Sequence, residues 1–335
     1  MTVAHPEPHP QHEPRVKQHF RDLPLRVGTR GSPLALVQTR HFLRLLEHFC
    51  PVLRAFDVFD QQAIRTTGDM VQDRPLADIG GKGLFAKEIH EALLDRRIDF
   101  AVHSLKDLET RLPEGVELAC TLPREDARDV LILGPGCGTA CAEAPLDALP
   151  AGAVIGTSSV RRQAQLLHLR PDLAMVGLRG NVQTRLARIA EGACTASLLA
   201  LAGLRRLGIE ASGAVVLDPA FMVPSAGQGI IGVTVRADDT ELRELLGGIE
   251  DPEAKAVSSA ERALLDALDG SCRTPIGGHA VLLPGGLLRL TGLVARADGS
   301  FLLRRTIEGA AADAVRIGRE LGLALRADSP ADLFV

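Results

Sequence analysis

The sequence predicts an α/β protein built from two doubly wound domains and a small α+β domain. Three observations predict it. At 335 residues the chain exceeds what one core usually serves, with roughly 150 residues per domain as a guide. From Leu25 onward, short β-rich runs, tight loops and amphipathic helices alternate, the pattern of parallel, doubly wound sheets. After Gly248 the alternation stops, and one long helix is followed by consecutive alternating strands.

In chain order, Leu25-Arg-Val-Gly-Thr29 reads as a strand. Ser32-Pro33 supplies an N-cap and a proline at the first helical position, opening a helix over 34–46. Residues 56–64 form a second strand candidate, and Gly80-Gly-Lys-Gly83 is a glycine loop ahead of a helix over 85–94. A third strand, 98–102, runs into His103-Ser-Leu-Lys-Asp107. A boundary falls near Pro123. The pattern then recurs with a strand at 154–156, a cap at Thr157-Ser158-Ser159 and a helix over 160–169. Another strand (174–176), loop (Leu178-Arg-Gly-Asn181) and helix (182–190) follow, and a weaker repeat spans 196–199 and 202–207. Pro224-Ser-Ala-Gly-Gln-Gly229 turns into an apolar strand, 230–235. The last part reads as a helix over 252–268, a loop from Asp269 to Gly277, strands at 280–283, 287–294 and 301–307, and a closing helix over 311–324.

Composition excludes several function classes. No apolar run approaches the roughly 18–20 residues of a membrane span, so an integral membrane role is ruled out. Net charge is −4 and aromatics are 3%, without Trp or Tyr, which removes both a global field and stacking platforms for nucleic acid. The six cysteines are scattered and complete no zinc site, so no metal is expected. His5, His9, His12 and His19 lie among prolines in a tail read as disordered, with no signal-peptide core. The expected compartment is the cytoplasm, with reduced thiols.

Chemistry is suggested by arginines at helix starts. Arg30 precedes the Ser32 cap, Arg161 and Arg162 open the helix after Ser159, and Arg179 lies before the helix bearing Arg185. Arg205 and Arg206 fall on a later helix. Cations are disfavoured at helix N-termini, where the macrodipole is already positive, unless an anion lies between them. Guanidinium groups at the carboxyl edges of doubly wound sheets therefore suggest a site for carboxylate or phosphate. No Walker-type loop is present. From residues alone, Asp107 is either a turn cap or a carboxylate that stabilises developing positive charge. Cys272, on a glycine-bearing loop beside Arg273, is either inert or a nucleophilic thiolate.

At these residues the sequence closely resembles the porphobilinogen deaminase (hydroxymethylbilane synthase) family. The matching blocks are Arg26-Val-Gly-Thr-Arg-Gly-Ser-Pro-Leu-Ala-Leu36, Gly80-Gly-Lys-Gly-Leu-Phe85, Ala101-Val-His-Ser-Leu-Lys-Asp107 and Gly156-Thr-Ser-Ser-Val-Arg-Arg-Gln163. Leu178-Arg-Gly-Asn-Val182, Pro224-Ser-Ala-Gly-Gln-Gly229, Ala260-Glu-Arg262 and Gly270-Ser-Cys-Arg-Thr-Pro-Ile-Gly277 continue them in family order. The resemblance implies two domains like type II periplasmic binding proteins, over 24–122 with 230–247 and over 123–229. It further implies a cofactor-carrying α+β domain over 248–335, with residues 1–23 as a tail. The implied activity condenses porphobilinogen, with loss of ammonia, into the linear tetrapyrrole hydroxymethylbilane, in a monomer without nucleic-acid or membrane partners.

The resemblance also implies residue roles. A dipyrromethane primer is attached through a thioether to Cys272, and Asp107 is the catalytic carboxylate. Lys82, Ser104, Lys106, Thr157, Ser159, Arg161, Arg162 and Arg185 match cofactor contacts; Arg30, Ser32, Arg179 and Arg206 match substrate contacts. Phe85 falls in the loop covering the cleft. Two departures stand out: Asp78 where some relatives have Lys, and Thr67-Gly68-Asp69 where Arg-Gly-Asp is frequent. Two competing readings are a non-catalytic anion receptor and a paralogue unable to load cofactor. The missing export signal and the Cys272 domain count against the first, and the presence of Asp107 and Cys272 against the second.

Overall fold

The computed structural model describes residues 23–54, 58–71, 83–210, 213–269 and 274–334. A first sheet contains β1 (Leu25–Arg30), β2 (Phe59–Ile64), β3 (Phe100–Ser104), β4 (Val116–Thr121) and, much later in the chain, β10 (Ile231–Arg236), in the order β2-β1-β3-β10-β4. A second contains β5 (Asp129–Leu133), β6 (Val154–Gly156), β7 (Ala174–Val176), β8 (Ala196–Ala200) and β9 (Val215–Val216), in the equivalent order β7-β6-β8-β5-β9. This shared order is the type II periplasmic-binding-protein arrangement.

Neither sheet is wholly parallel, as the strand–helix alternation suggested. β1 pairs in parallel with β2 and β3, but β10 is antiparallel to both β3 and β4. Likewise β5 is antiparallel to β8 and β9. The reversed strands are the two that the chain enters by crossing between sheets, through 122–128 into β5 and through 217–230 into β10. A strand buried on both faces reads the same in either direction, so no local pattern announces the reversal.

Helices cover both faces. In α1 (Pro33–Phe49) the Ser32 hydroxyl accepts the Ala35 N–H at 3.3 Å and Pro33 sits in the first turn. Its inner face brings Phe42 and Leu46 onto the first sheet, with the Phe42 and Phe100 rings 5.7 Å apart. A short α2 (Thr67–Met70) and α3 (Lys87–Leu94) follow; Ile89 and Leu93 pack with Ile98, Ala101 and Val116. The second sheet carries α4 (Val160–Leu169), α5 (Val182–Ala190) and α6 (Leu201–Arg206). An additional helix, α7 (Thr240–Gly247), lies outside the sequence expectation. Asp239 caps it, and Leu242 and Leu246 join the first core.

The last part is an antiparallel meander of β11 (Ile276–Leu283), β12 (Leu287–Ala295) and β13 (Leu302–Ala310), packed with α8 (Pro252–Ala267) and α9 (Ala314–Ala327). Leu264, Leu288, Leu290, Ile317 and Leu321 form its core. Leu105, Leu108 and Ile230 belong to the same cluster, so this unit packs directly under the turn that follows β3.

Candidate active-site cleft

The loops singled out by sequence leave the carboxyl ends of β1, β3, β6 and β7. Arg30 is the last residue of β1, and β3 runs into a single helical turn, Leu105–Asp107. Arg30 Nη1 donates to Asp107 Oδ2 at 3.1 Å, and Arg30 Nε donates to Asp69 Oδ2 at 3.2 Å. The Phe85 ring covers the guanidinium, with its centroid 4.1 Å from Cζ. Burial would lower the Arg30 pKa, but Asp69 and Asp107 outweigh it and raise it. For Asp69 burial would raise the pKa, but the Arg30 and Thr66 bonds lower it. Arg30 is therefore a fixed cation that orients both carboxylates.

Lys106 projects into the space beside them, its Nζ 3.2 Å from Gln228 Oε1. Protein surrounds the side chain, yet it stays open to solvent in the cleft. This enclosure, followed by the repulsion of Arg162, lowers its pKa to about 8. Gln228 Nε2 donates at 2.8 Å to Asp129 Oδ1, coupling Lys106 to a fully buried carboxylate. Gly227 lets the loop pack against the Leu105–Asp107 turn: its φ is +72°, and a Cβ there would lie 3.1 Å from the Lys106 backbone nitrogen.

Arg161 and Arg162 lie in this buried layer, although the sequence expectation put them against bound cofactor. They are 5% and 6% exposed; their Nη2 atoms each donate to Asp129 at 2.8 Å, and their Nη1 atoms to Val223 O and Leu198 O. Two adjacent buried cations need a counter-charge, and Asp129 supplies it, with its own pKa driven far below the usual carboxylate range. Among the described residues, Arg162 Nε alone of this set is buried without a partner.

Across the cleft, Arg179 Nη2 donates to Gly68 O at 3.0 Å, tying the second sheet's loop to α2. Arg185 Nε donates to Gly180 O, and Arg206 Nη2 to Gly229 O beside the second crossover. Among the described residues neither Arg185 nor Arg206 has a carboxylate within ion-pair distance. Burial lowers the pKa of each to about 10, and for Arg185 the neighbouring Arg162 and Arg179 contribute. The hydroxyls shape loops: Ser104 Oγ donates to Gln38 Oε1, Thr157 Oγ1 accepts the Ser159 N–H, and Ser159 Oγ caps α4. Lys82, Asp78 and Cys272 lie outside the described residues.

The structure thus gathers Arg30, Lys106, Asp107, Arg179 and Arg185 around one cleft, with Arg161 and Arg162 beneath it and Arg206 at its crossover end. Sequence reasoning missed Asp69, Asp129 and Gln228 as parts of the site. Asp69 and Gln228 stand in segments compared with the family but without an assigned role, and Asp129 is a charge heading the apolar run Val130–Leu133. Arg185 and Arg206, with no carboxylate within ion-pair distance among the described residues, fit a ligand bearing several carboxylates, as a dipyrromethane does. Among the described residues no cluster of metal-ligating side chains occurs, and no helix is long and apolar enough to cross a membrane.

Residues 25–244 match the profile described as porphobilinogen deaminase, dipyromethane cofactor binding domain, and residues 255–327 match that family's C-terminal domain. A porphobilinogen deaminase of Syntrophobacter fumaroxidans is 47% identical over 304 residues, covering 91% of this chain and 94% of that protein. One from Paracoccus denitrificans is 48% identical over 314 residues, covering 93% and 96%. Among solved structures, the periplasmic VFT2 domain of Bordetella pertussis BvgS aligns with 67% of this chain and 86% of its own length, at 14% identity and a TM-score of 0.39. Two profile matches in family order, together with near-full-length identity to these relatives, meet on the blocks that build the cleft: the chain belongs to the porphobilinogen deaminase family.

Proposed function

We propose that this chain is a transferase of tetrapyrrole biosynthesis, polymerising porphobilinogen into hydroxymethylbilane with release of ammonia, on a dipyrromethane held by Cys272. One observation carries the residue roles: the Asp107 carboxylate, fixed by Arg30, faces a cleft where, among the described residues, Arg185 and Arg206 have no carboxylate within ion-pair distance. When bound, the dipyrromethane supplies the free pyrrole α-carbon to which each unit is added.

This chain's residues bind, orient and hold charge. Loss of ammonia from porphobilinogen leaves a methylene-pyrrolenine cation, and Asp107 holds the opposing charge beside it. Arg30 fixes the Asp107 carboxylate, so the counter-charge is in place before it is needed. Arg179, Arg185 and Arg206, with Lys106, hold the acetate and propionate arms. Arg161 and Arg162 act from below, adding positive potential and, through Arg162 Nε, an unused donor. Ser32, Ser104, Thr157 and Ser159 complete the polar lining, and the family resemblance assigns Lys82 the same part.

The working unit is a cytoplasmic monomer, with domains at 24–122 with 230–247, 123–229, and 248–335. Each of the three sheets draws its strands from one of these ranges, which supports the division. Intact mass of wild type and Cys272→Ser tests the function, together with ammonia release from porphobilinogen. Wild type should carry the mass of a dipyrromethane and give the Ehrlich colour, and Cys272→Ser should do neither. A wild type that stays unmodified and releases no ammonia overturns the reading. Asp107→Ala should load cofactor but lose about 10² to 10³ in kcat, as removal of a preorganised charge-stabilising group does.

A further inference from the structure

We infer that Glu88 is a positioning residue for this cleft, acting on the reacting side through α2. Glu88 lies in the first turn of α3. Its Oε1 accepts the Thr67 backbone N–H at 2.9 Å and also the Thr67 hydroxyl. These two bonds pin the first residue of α2. The two residues that follow, Gly68 and Asp69, both act in the cleft.

Asp69 grips Arg30 through its Nε and Nη2 and is itself held by the Thr66 hydroxyl at 2.8 Å. Gly68 presents its carbonyl to Arg179 from the opposite wall. The same glycine lies flat against Phe85, where a Cβ would fall 2.3 Å from the ring, and Phe85 stacks on Arg30. A helix of four residues has too few internal hydrogen bonds to hold its own position. External acceptors hold it: Glu88 Oε1 takes the Thr67 N–H, and Leu84 O takes the Gly68 N–H at 2.8 Å, so Glu88 is the side chain in that anchor.

A second observation sharpens this. Glu88 Oε2 is buried with no partner among the described residues. The pin therefore rests on Oε1 alone. The chain Glu88, Thr67, Asp69, Arg30, Asp107 thus runs from the back of the sheet to the counter-charge.

The inference rests on the proposed function, and its test keeps the two apart. Wild-type holoenzyme must first release ammonia from porphobilinogen; if it does not, the functional reading fails and Glu88 is not at issue. Given an active wild type, Glu88→Ala, Glu88→Gln, Asp69→Asn and Glu88→Ala/Asp69→Asn are compared as full-length proteins. Intact mass reports cofactor loading, and steady-state assays report kcat and KM separately. Glu88→Ala should load normally and lose about tenfold in kcat/KM, while Glu88→Gln, whose Oε1 still accepts both Thr67 bonds, should recover to within about threefold of wild type. The double variant should be no worse than Asp69→Asn, because both changes break one path. Unchanged kinetics in Glu88→Ala, an equal loss in Glu88→Gln, or additive losses in the double variant would each overturn the inference. Should Glu88→Ala fail to fold, Thr67→Val replaces it, keeping the N–H while removing the hydroxyl. It should lose two- to threefold in kcat/KM, and an unchanged value overturns the inference as well.

Discussion

Asp129 takes a hydrogen bond from each of two buried arginines and a third from Gln228, so one carboxylate supports the whole floor of the cleft. Replacing it by Asn keeps the shape but leaves two buried guanidinium groups without a counter-charge. Asp129→Asn should therefore cost about 3–5 kcal/mol of unfolding free energy, read by urea denaturation, and a loss below about 1 kcal/mol would show the arginines find water instead. The arginines themselves were legible, because paired cations in a helix's first turn break a local rule. Their partner was not: Asp129 lies on a different strand, and only closure of the second sheet brings it beneath α4. Burial also sets the behaviour of His90 and His103, whose rings lie 5.8 Å apart. Desolvation lowers their pKa to about 4 and about 3, and His103 also feels His90 and Arg30. Both values are depressed, so the unfolded chain binds protons that the folded chain refuses. Stability is full above pH 6.5 and falls as the pH drops from there toward 4. His90 alone should account for about 3 kcal/mol of that fall, and His90→Gln should flatten the curve by that amount. Glu109, 3.9 Å from His90, has its pKa raised by burial and works in the opposite direction, so the comparison of wild type with His90→Gln is what isolates the histidine.

The segments joining the first two sheets are bonded to each other as well as to their strands. Glu125 N–H donates to Gly229 O at 3.0 Å, and Arg124 Nε donates to Gln228 O at 2.9 Å. Gly229 has φ +87°, and a Cβ on it would sit 2.1 Å from Glu125 O. Gly229→Ala must therefore push the two crossovers apart while straining its own backbone. A loss of at least about 2 kcal/mol is expected, with a lowered kcat because Gln228 and Lys106 shift with the loop. A crystal structure of the variant with both crossovers unmoved would refute this. Where local chemistry is decisive, the elements were readable: α4, α5, β6 and β7 have the bounds that caps and periodicity indicate. β4, β9, α2 and α7 were missed. The polar and apolar residues of β4 follow its position against β10 and α8 more than any clean alternation, and the eight-residue α7 carries a short apolar stripe. The direction of β5 and β10 is a property of chain path, which no window of sequence contains.

The three sheets are joined at one buried carboxylate. Glu261, on α8 and fully buried, accepts from Arg124 Nη1 at 2.6 Å, from Gly227 N–H at 2.7 Å and from Ala280 N–H at 2.7 Å. Arg124 belongs to one crossover, Gly227 to the other, and Ala280 to β11. Apolar packing repeats the connection, with Leu105, Leu108 and Ile230 in the core of the third unit and Ala164 and Val223 against Leu293 and Ala295. An opening motion of the first two sheets must therefore turn about a point that the third unit holds. Glu261→Gln retains one acceptor and offers an amide where the Arg124 guanidinium and Gly227 N–H still point, leaving a buried cation unpaired at about 3–5 kcal/mol. That loss falls on the junction and not within any one core, so cooperativity should suffer more than the cores do. Calorimetry of the wild type should show one transition, and Glu261→Gln should split it, with the earlier transition releasing the unit of α8, α9 and β11–β13. A single transition at an unchanged temperature would mean that the apolar contacts alone unite the molecule, and that the ion pair of Arg124 and Glu261 is not what couples the crossovers to the third sheet.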